Sequence, residues 1–211
     1  ASAEYAQAIE CWQKLLALVP ATGDRIQEGQ ILNSLRQAYI SLGESTQAKK
    51  YQQQQLAIAR ELLDLAIATD FIDSLEIVGL DPIQDLVGAD LSQLDLRNAS
   101  LCRVNLESTN LTGTDLTLAD LSRANLSGAN LARAKLSNAN LRDANLSNSN
   151  LSDADLRAIL PRVNLSGANL SRTNLSSAYL QNANLQNADL NGTLLQQADL
   201  SGVNLSHANL N

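Results

Sequence analysis

Ionisable side chains recur along the second half of the chain at intervals of nineteen or twenty residues or their multiples. Asp95, Asp115 and Asp155 form one series, with Lys135 between the second and third. Arg103, Arg123 and Arg162 form another, with Asp143 in the series and Arg142 beside it. If the fold stacks residues at that interval, carboxylates about 5 Å apart repel one another and Lys135 relieves part of the repulsion. A column of single carboxylates lacks the converging oxygens that hold a hard cation, so no metal site is expected there. The arginine column suits another chemistry, because guanidinium groups bind carboxylates or phosphates bidentately. Arg103, Arg123, Arg142 and Arg162 are therefore candidates for recognising an acidic partner, against the plainer alternative of a solvated, partly self-paired face.

Catalytic chemistry finds no comparable constellation. His207 is the single histidine and has no serine or cysteine partner at a spacing that would argue a triad. Cys11 and Cys102 lack metal-ligand spacing and are expected to be free thiols. No glycine-rich phosphate loop occurs, and an interior of leucine and alanine leaves no substrate pocket. The expectation is a protein that is not an enzyme and needs no cofactor.

What must position these columns is a leucine every five residues, from Leu91 through Leu96, Leu101 and Leu106 to Leu210, with a small residue nearly always two positions ahead. On an α-helix, five residues advance the side chain about 140° past a full turn, so the leucines would spiral round the cylinder. On a strand, an odd spacing throws successive leucines onto opposite faces. The remaining solution bends the chain once per pentad, placing the leucine and the small residue inside. Bends of roughly 90° close a coil after four pentads, and coils that cannot bury their own apolar face must stack.

The pentads Ala119-Asp120-Leu121-Ser122-Arg123, Ala129-Asn130-Leu131 and Ala168-Asn169-Leu170-Ser171-Arg172 resemble the pentapeptide-repeat family. The resemblance implies a mainly β solenoid, a right-handed quadrilateral β-helix. About 25 pentads make about six coils and about 30 Å of stack. The Asn column 105, 125, 145, 164, 184 and 204 is expected to form a side-chain amide ladder. One break interrupts the register: Arg157-Ala158-Ile159-Leu160-Pro161 is one residue short of two pentads, and Pro161 suits a distorted corner. The alternatives are a tolerated deletion and a binding feature, and an exposed Ile159 would favour the second.

Composition divides the chain in two. Residues 1–83 hold 11 acids and 6 bases, net −5, and residues 84–211 hold 11 acids and 9 bases, net −2. Nonspecific nucleic-acid binding is disfavoured by that balance, and no apolar run is long enough to span a bilayer. Methionine is absent even at position 1, which predicts a chain processed or cut from a longer product. The compartment stays open between the cytoplasm and an extracytoplasmic space reached by a removed signal peptide.

Residues 1–69 carry helical spacing. Tyr5, Ala8, Ile9, Trp12, Leu15, Leu16 and Val19 predict a helix over 3–19 that ends before Pro20. Ile31, Leu32, Leu35, Ala38, Tyr39 and Leu42 predict a second closed by Gly43, and a third runs from about Ser45 to Ala66. Asn33 to Gly43, followed by Ala48 and Tyr51, resembles a degenerate tetratricopeptide repeat, although Arg36 stands where a small residue usually lets two helices approach. In that family the first helix of each pair lines a peptide-binding surface, which implies Gln30, Asn33 and Gln37 as partner-binding positions. A solvated polar face is the alternative. Residues 70–88 are expected to cap the first coil of a β-helix spanning 89–211, with Asp81-Pro82 starting a short helical turn to Val87.

These features predict a non-catalytic protein-protein interaction scaffold or adaptor whose partner is a protein of unspecified identity, with no direct nucleic-acid binding. Pairing of two copies through the C-terminal coil is a further expectation. The family resemblance implies one competing class, a DNA-mimic inhibitor of a type II topoisomerase. The asparagines before the leucines and the many arginines of the repeat depart from the acidic surface that such mimicry needs. Such repeats abound in cyanobacteria, so a cyanobacterial source is expected.

Overall fold

The computed structural model describes residues 2–19, 23–64 and 71–210. Two compact units divide the chain, Ala1–Asp85 and Leu86–Asn211.

The first unit is helical. α1 (Ser2–Leu18), α2 (Arg25–Ser41), α3 (Ser45–Asp64) and α4 (Phe71–Ile77) follow in order. Asp24 caps α2 by accepting from the Gln27 amide at 2.9 Å. Gly43, at φ 76°, ends it: Gly43 N–H donates to the Ile40 carbonyl and Glu44 N–H to that of Tyr39. The three predicted helices stand where their apolar spacing put them. Pro20 and Ala66, expected near two helix ends, lie outside the described residues. α4 was not foreseen as a helix, since seven residues give little periodicity to read. After it, Asp81 starts a turn in which its side chain accepts from the Ile83 amide and its carbonyl from those of Gln84 and Asp85.

Arg36 explains how this unit departs from the repeat it resembles. The residue is 3% exposed, and its guanidinium donates to both Asp85 oxygens at 2.6 and 2.9 Å and to the Gly79 carbonyl at 3.2 Å. Gln52 donates to the Asp85 carbonyl and Gln55, fully buried, to that of Val78. α2 and α3 are thus both tied to the 78–85 segment by charged or amide side chains. The close approach is made at Gly29, where an added Cβ would lie 2.8 Å from Val78 Cγ1.

The second unit is a quadrilateral β-helix, right-handed as the repeat implies. Parallel bridges join residues twenty apart, such as Asn105 to Asn125 and Asn125 to Asn145, through about six coils. Each pentad uses its positions in the same way. In Ala124-Asn125-Leu126-Ser127-Gly128, alanine and leucine point inward and are buried, at 1% and 0% exposure. Asn125 faces outward in the bridge, and Ser127-Gly128 turn the corner, the last residue in the left-handed region at φ 65°. Non-glycine residues take this corner conformation as well, Arg123 at φ 60° and Asn138 at φ 58° among them. That conformation costs roughly 1–2 kcal/mol per residue, which the inter-coil bonds must offset. Where threonine replaces alanine inside, its hydroxyl donates to a carbonyl of the preceding coil, as Thr114 does to Leu91 at 2.8 Å.

The register break falls one pentad earlier than Pro161. After Leu156 only Arg157 and Ala158 precede Ile159, so the corner residue with positive φ is the one missing there, and Ile159 is 39% exposed. Pro161 occupies an ordinary turn position, its carbonyl accepting from Asp143 at 3.1 Å. At that position the amide usually donates to an outward Asn or Asp two residues earlier, as Ser166 does to Asn164. Two residues before Pro161 stands Ile159, which has no acceptor, so proline fits without losing a bond.

Two outcomes follow in urea denaturation. Leu126→Ala should cost about 2–5 kcal/mol and Leu200→Ala, already 37% exposed, less than about half of that. Arg36→Ala should destabilise the helical unit by about 3 kcal/mol, since it leaves the Asp85 carboxylate without its partner.

Candidate interaction surface

The corner positions generate the arginine column. Arg103, Arg123, Asp143 and Arg162 all hold the left-handed corner conformation, at φ 62°, 60°, 59° and 58°. The amide of Arg103 donates to the Ser122 carbonyl and that of Arg123 to the Arg142 carbonyl, so the series climbs one corner and Arg142 sits immediately before it. All four arginines are exposed. Arg162 is committed, bonding both Asp143 oxygens at 2.6 and 2.8 Å. The Arg162 hydrogen bonds hold the Asp143 carboxyl below the usual carboxylate range against the opposing effect of desolvation, and the charges of Arg162, Arg123 and Arg142 add to the lowering. Among the described residues, Arg103, Arg123 and Arg142 make no ion pair. Four guanidinium groups therefore share one carboxylate along this corner, an excess of positive charge on an acidic chain.

A second column of the same kind does not show itself when residues are read one by one. Arg133, Asp153 and Arg172 occupy another corner, at φ 59°, 60° and 56°, and Arg172 bonds both Asp153 oxygens at 2.6 and 2.7 Å. The Arg172 bonds hold Asp153 below its usual range. The signal was available: a residue two after each leucine, compared with those nineteen and twenty further on.

The aspartate column is self-contained. Asp95 is paired with Arg97 at 2.5 Å, Asp115 with Lys135 at 3.4 Å and Asp155 with Arg157 at 2.6 Å. Burial works against ionisation of Asp115, yet hydrogen bonds from the Thr117 hydroxyl and amide, with Lys135, hold its carboxyl low. No group of three or more potential metal ligands occurs among the described residues.

The asparagine column forms a ladder. Each Nδ2 donates to the Oδ1 one coil before, at 3.0 Å for Asn125 to Asn105 and 3.1 Å for Asn145 to Asn125. The same oxygens accept the amide two residues on, as Asn125 does from Ser127 at 3.2 Å. The carboxamides are spent on the fold, which removes this face from the candidates.

In the helical unit, Gln30 and Gln37 are exposed on α2. Asn33 is half-buried and turned into the packing, its oxygen accepting from Arg36 at 3.2 Å and its amide lying beside Gly79. A groove of about 230 Å³ between α1, α2 and α3 is bordered by Leu16, Arg25, Glu28 and Glu61. Arg25 there is occupied by Glu28 at 2.6 Å and Glu61 at 3.1 Å. No helix among the described residues is long and apolar enough to cross a membrane.

The chain can now be compared with known proteins. The family profile for pentapeptide repeats matches in 8 copies, over residues 85–123, 124–159, 158–197 and 178–211. Among solved structures, the pentapeptide repeat protein Rfr23 from the cyanobacterium Cyanothece 51142 is 45% identical over 44% of this chain and 65% of its own, with a TM-score of 0.43. HetL, a pentapeptide repeat protein involved in heterocyst differentiation regulation in the cyanobacterium Nostoc sp. strain PCC 7120, is 42% identical over 56% of this chain and 58% of its own, with a TM-score of 0.38. QnrB1, a plasmid-mediated fluoroquinolone resistance protein, is 16% identical over 63% of this chain and 86% of its own, with a TM-score of 0.24. The chain spans less than two thirds of the length of the first two. No curated protein matches it. With the profile covering residues 85–211, more than half of its length, this chain belongs to the pentapeptide repeat family.

Proposed function

We propose that the chain is a non-catalytic protein-protein interaction scaffold whose β-helix recognises an acidic segment of a protein partner. The observation that carries this reading is the corner bearing Arg103, Arg123 and Arg142, three exposed guanidinium groups without an ion pair among the described residues, next to an Asp143 whose two oxygens are both bonded by Arg162. The stacked backbone fixes the spacing at which these side chains leave the corner, so their donors can meet carboxylates in register, at about 0.5–1.5 kcal/mol of rotamer freedom lost per side chain on binding. The helical unit serves as a second contact surface through Gln30 and Gln37, while Asn33 supports the packing beneath them. Residues 70–88 act as a cap in the same reading. Pairing of two copies through the last coil belongs to the same reading.

The competing function, mimicry of DNA toward a type II topoisomerase, needs a surface dominated by carboxylates. On residues 84–211 the 11 acids meet 9 bases, and the outward bridge positions are largely filled by asparagine.

Affinity capture with the full chain tests the proposal. The triple substitution Arg103→Glu, Arg123→Glu and Arg142→Glu should weaken the captured complex by at least about 1,000-fold at low salt, at roughly 1.5 kcal/mol or more per charged contact, and Gln30→Ala with Gln37→Ala by less. Capture unchanged by the charge reversal sinks the arginine corner, and inhibition of supercoiling at micromolar concentration would instead revive DNA mimicry.

A further inference from the structure

The deficit that exposes Ile159 also leaves an acceptor without its customary donor. At corners from Gly88 to Asn187 the left-handed residue donates its amide to a turn carbonyl of the next coil, Asn138 to Arg157 at 2.9 Å and Ser177 to Gln196 at 2.8 Å, for example. The residue that would donate to Ser176 is the one missing after Leu156. In the series of turn carbonyls from Glu107 to Ser206, that of Ser176 alone accepts no backbone amide.

Around it lies a groove of about 250 Å³, bordered by Ser137 and Asn138 on the coil before, Ile159 at the shortened corner and Ser177 and Tyr179 on the coil after. Ile159 and Tyr179 are 39% and 56% exposed and joined by a parallel bridge. Across residues 91–190 the large apolar side chains exposed to solvent are these two and Leu118, which stands at the same corner below Asn138. Arg157 adds no net charge to the groove, since it is bonded to Asp155 at 2.8 and 2.6 Å and reaches the Ser137 hydroxyl at 3.2 Å.

The fitting occupant is therefore uncharged, apolar over most of its surface and able to donate one hydrogen bond. The volume falls short of drug-sized pockets and suits one large side chain. Tryptophan and tyrosine combine an apolar ring with a single polar hydrogen and recur as anchors at the centres of protein interfaces. We propose that this notch seats a tryptophan or tyrosine side chain of a protein partner, its ring against Ile159 and Tyr179 and its N–H or O–H donated to the Ser176 carbonyl. The class of partner rests on the scaffold reading above; the notch itself is a separate site from the arginine corner.

The ¹⁵N-labelled full chain is titrated with indole and with 1-methylindole, which lacks the N–H. Indole should shift the amide resonances of Ile159, Ser177 and Tyr179 saturably at millimolar concentration. 1-Methylindole should bind at least about threefold more weakly. The pair Ile159→Ser and Tyr179→Ser, both at exposed positions, should keep the melting temperature and lose the response. Insertion of glycine between Arg157 and Ala158, which restores the five-residue spacing, should abolish it as well. A scattered or unsaturable response, or one unchanged in the serine pair, overturns the site, and equal binding of the two probes overturns the role of the Ser176 carbonyl. Because capture through the arginine corner is measured independently, a silent notch with an intact complex sinks this inference and not the scaffold.

Discussion

Each coil of the solenoid is held to the next by backbone hydrogen bonds that form only if the chain closes a full turn in step with the turn beneath it. The Leu126 amide meets the Asn145 carbonyl at 2.7 Å, and the Asn145 amide meets the Ala124 carbonyl at 2.9 Å. From this matching follow the inward leucines, the left-handed corners and the columns of like residues on the outer faces. A side chain in such a column has no choice of neighbour. It faces the residue that stands twenty positions away, so charge and hydrogen-bonding capacity are settled column by column rather than by conformational search.

That constraint separates faces spent on the fold from faces left available. The asparagine ladder satisfies its own amides and the turns beside them, and the aspartate column is neutralised by Arg97, Lys135 and Arg157. At the left-handed corner position, two residues after each leucine, the side chain points away from any ladder, so an arginine there pairs only when an aspartate shares the column. Asp143 and Asp153 each capture one arginine, and Arg103, Arg123 and Arg133 make no ion pair among the described residues. Unpaired charge thus concentrates at the corners, where the fold asks least of the side chain.

Much of this was legible before any coordinates. A five-residue leucine period leaves a chain bent once per pentad, so the stacked solenoid, the stacking of Arg103, Arg123 and Arg162, and the asparagine ladder could be read from spacing, and the resemblance to pentapeptide repeats implied the β-helix. Two things resisted. The role of Arg36 could not be read because its partner, Asp85, lies 49 residues away across a stretch without periodicity, and burial of a charge is invisible until that partner is placed. The register break lies within the Arg157–Pro161 stretch that the spacing marks, but Pro161 is not its distorted corner: the deficit lies between Arg157 and Ala158, where no residue type signals it.

The ladder also records how the array keeps its phase. Asn164 continues the column of Asn145, at 2.9 Å, although only nineteen residues separate them, and Asn184 follows Asn164 at the full twenty. A lost residue is absorbed within a single bend, and every later turn falls back into alignment. The array keeps count of revolutions, not of amino acids, so a corner one residue short alters the surface at one place and leaves the columns of later coils in line.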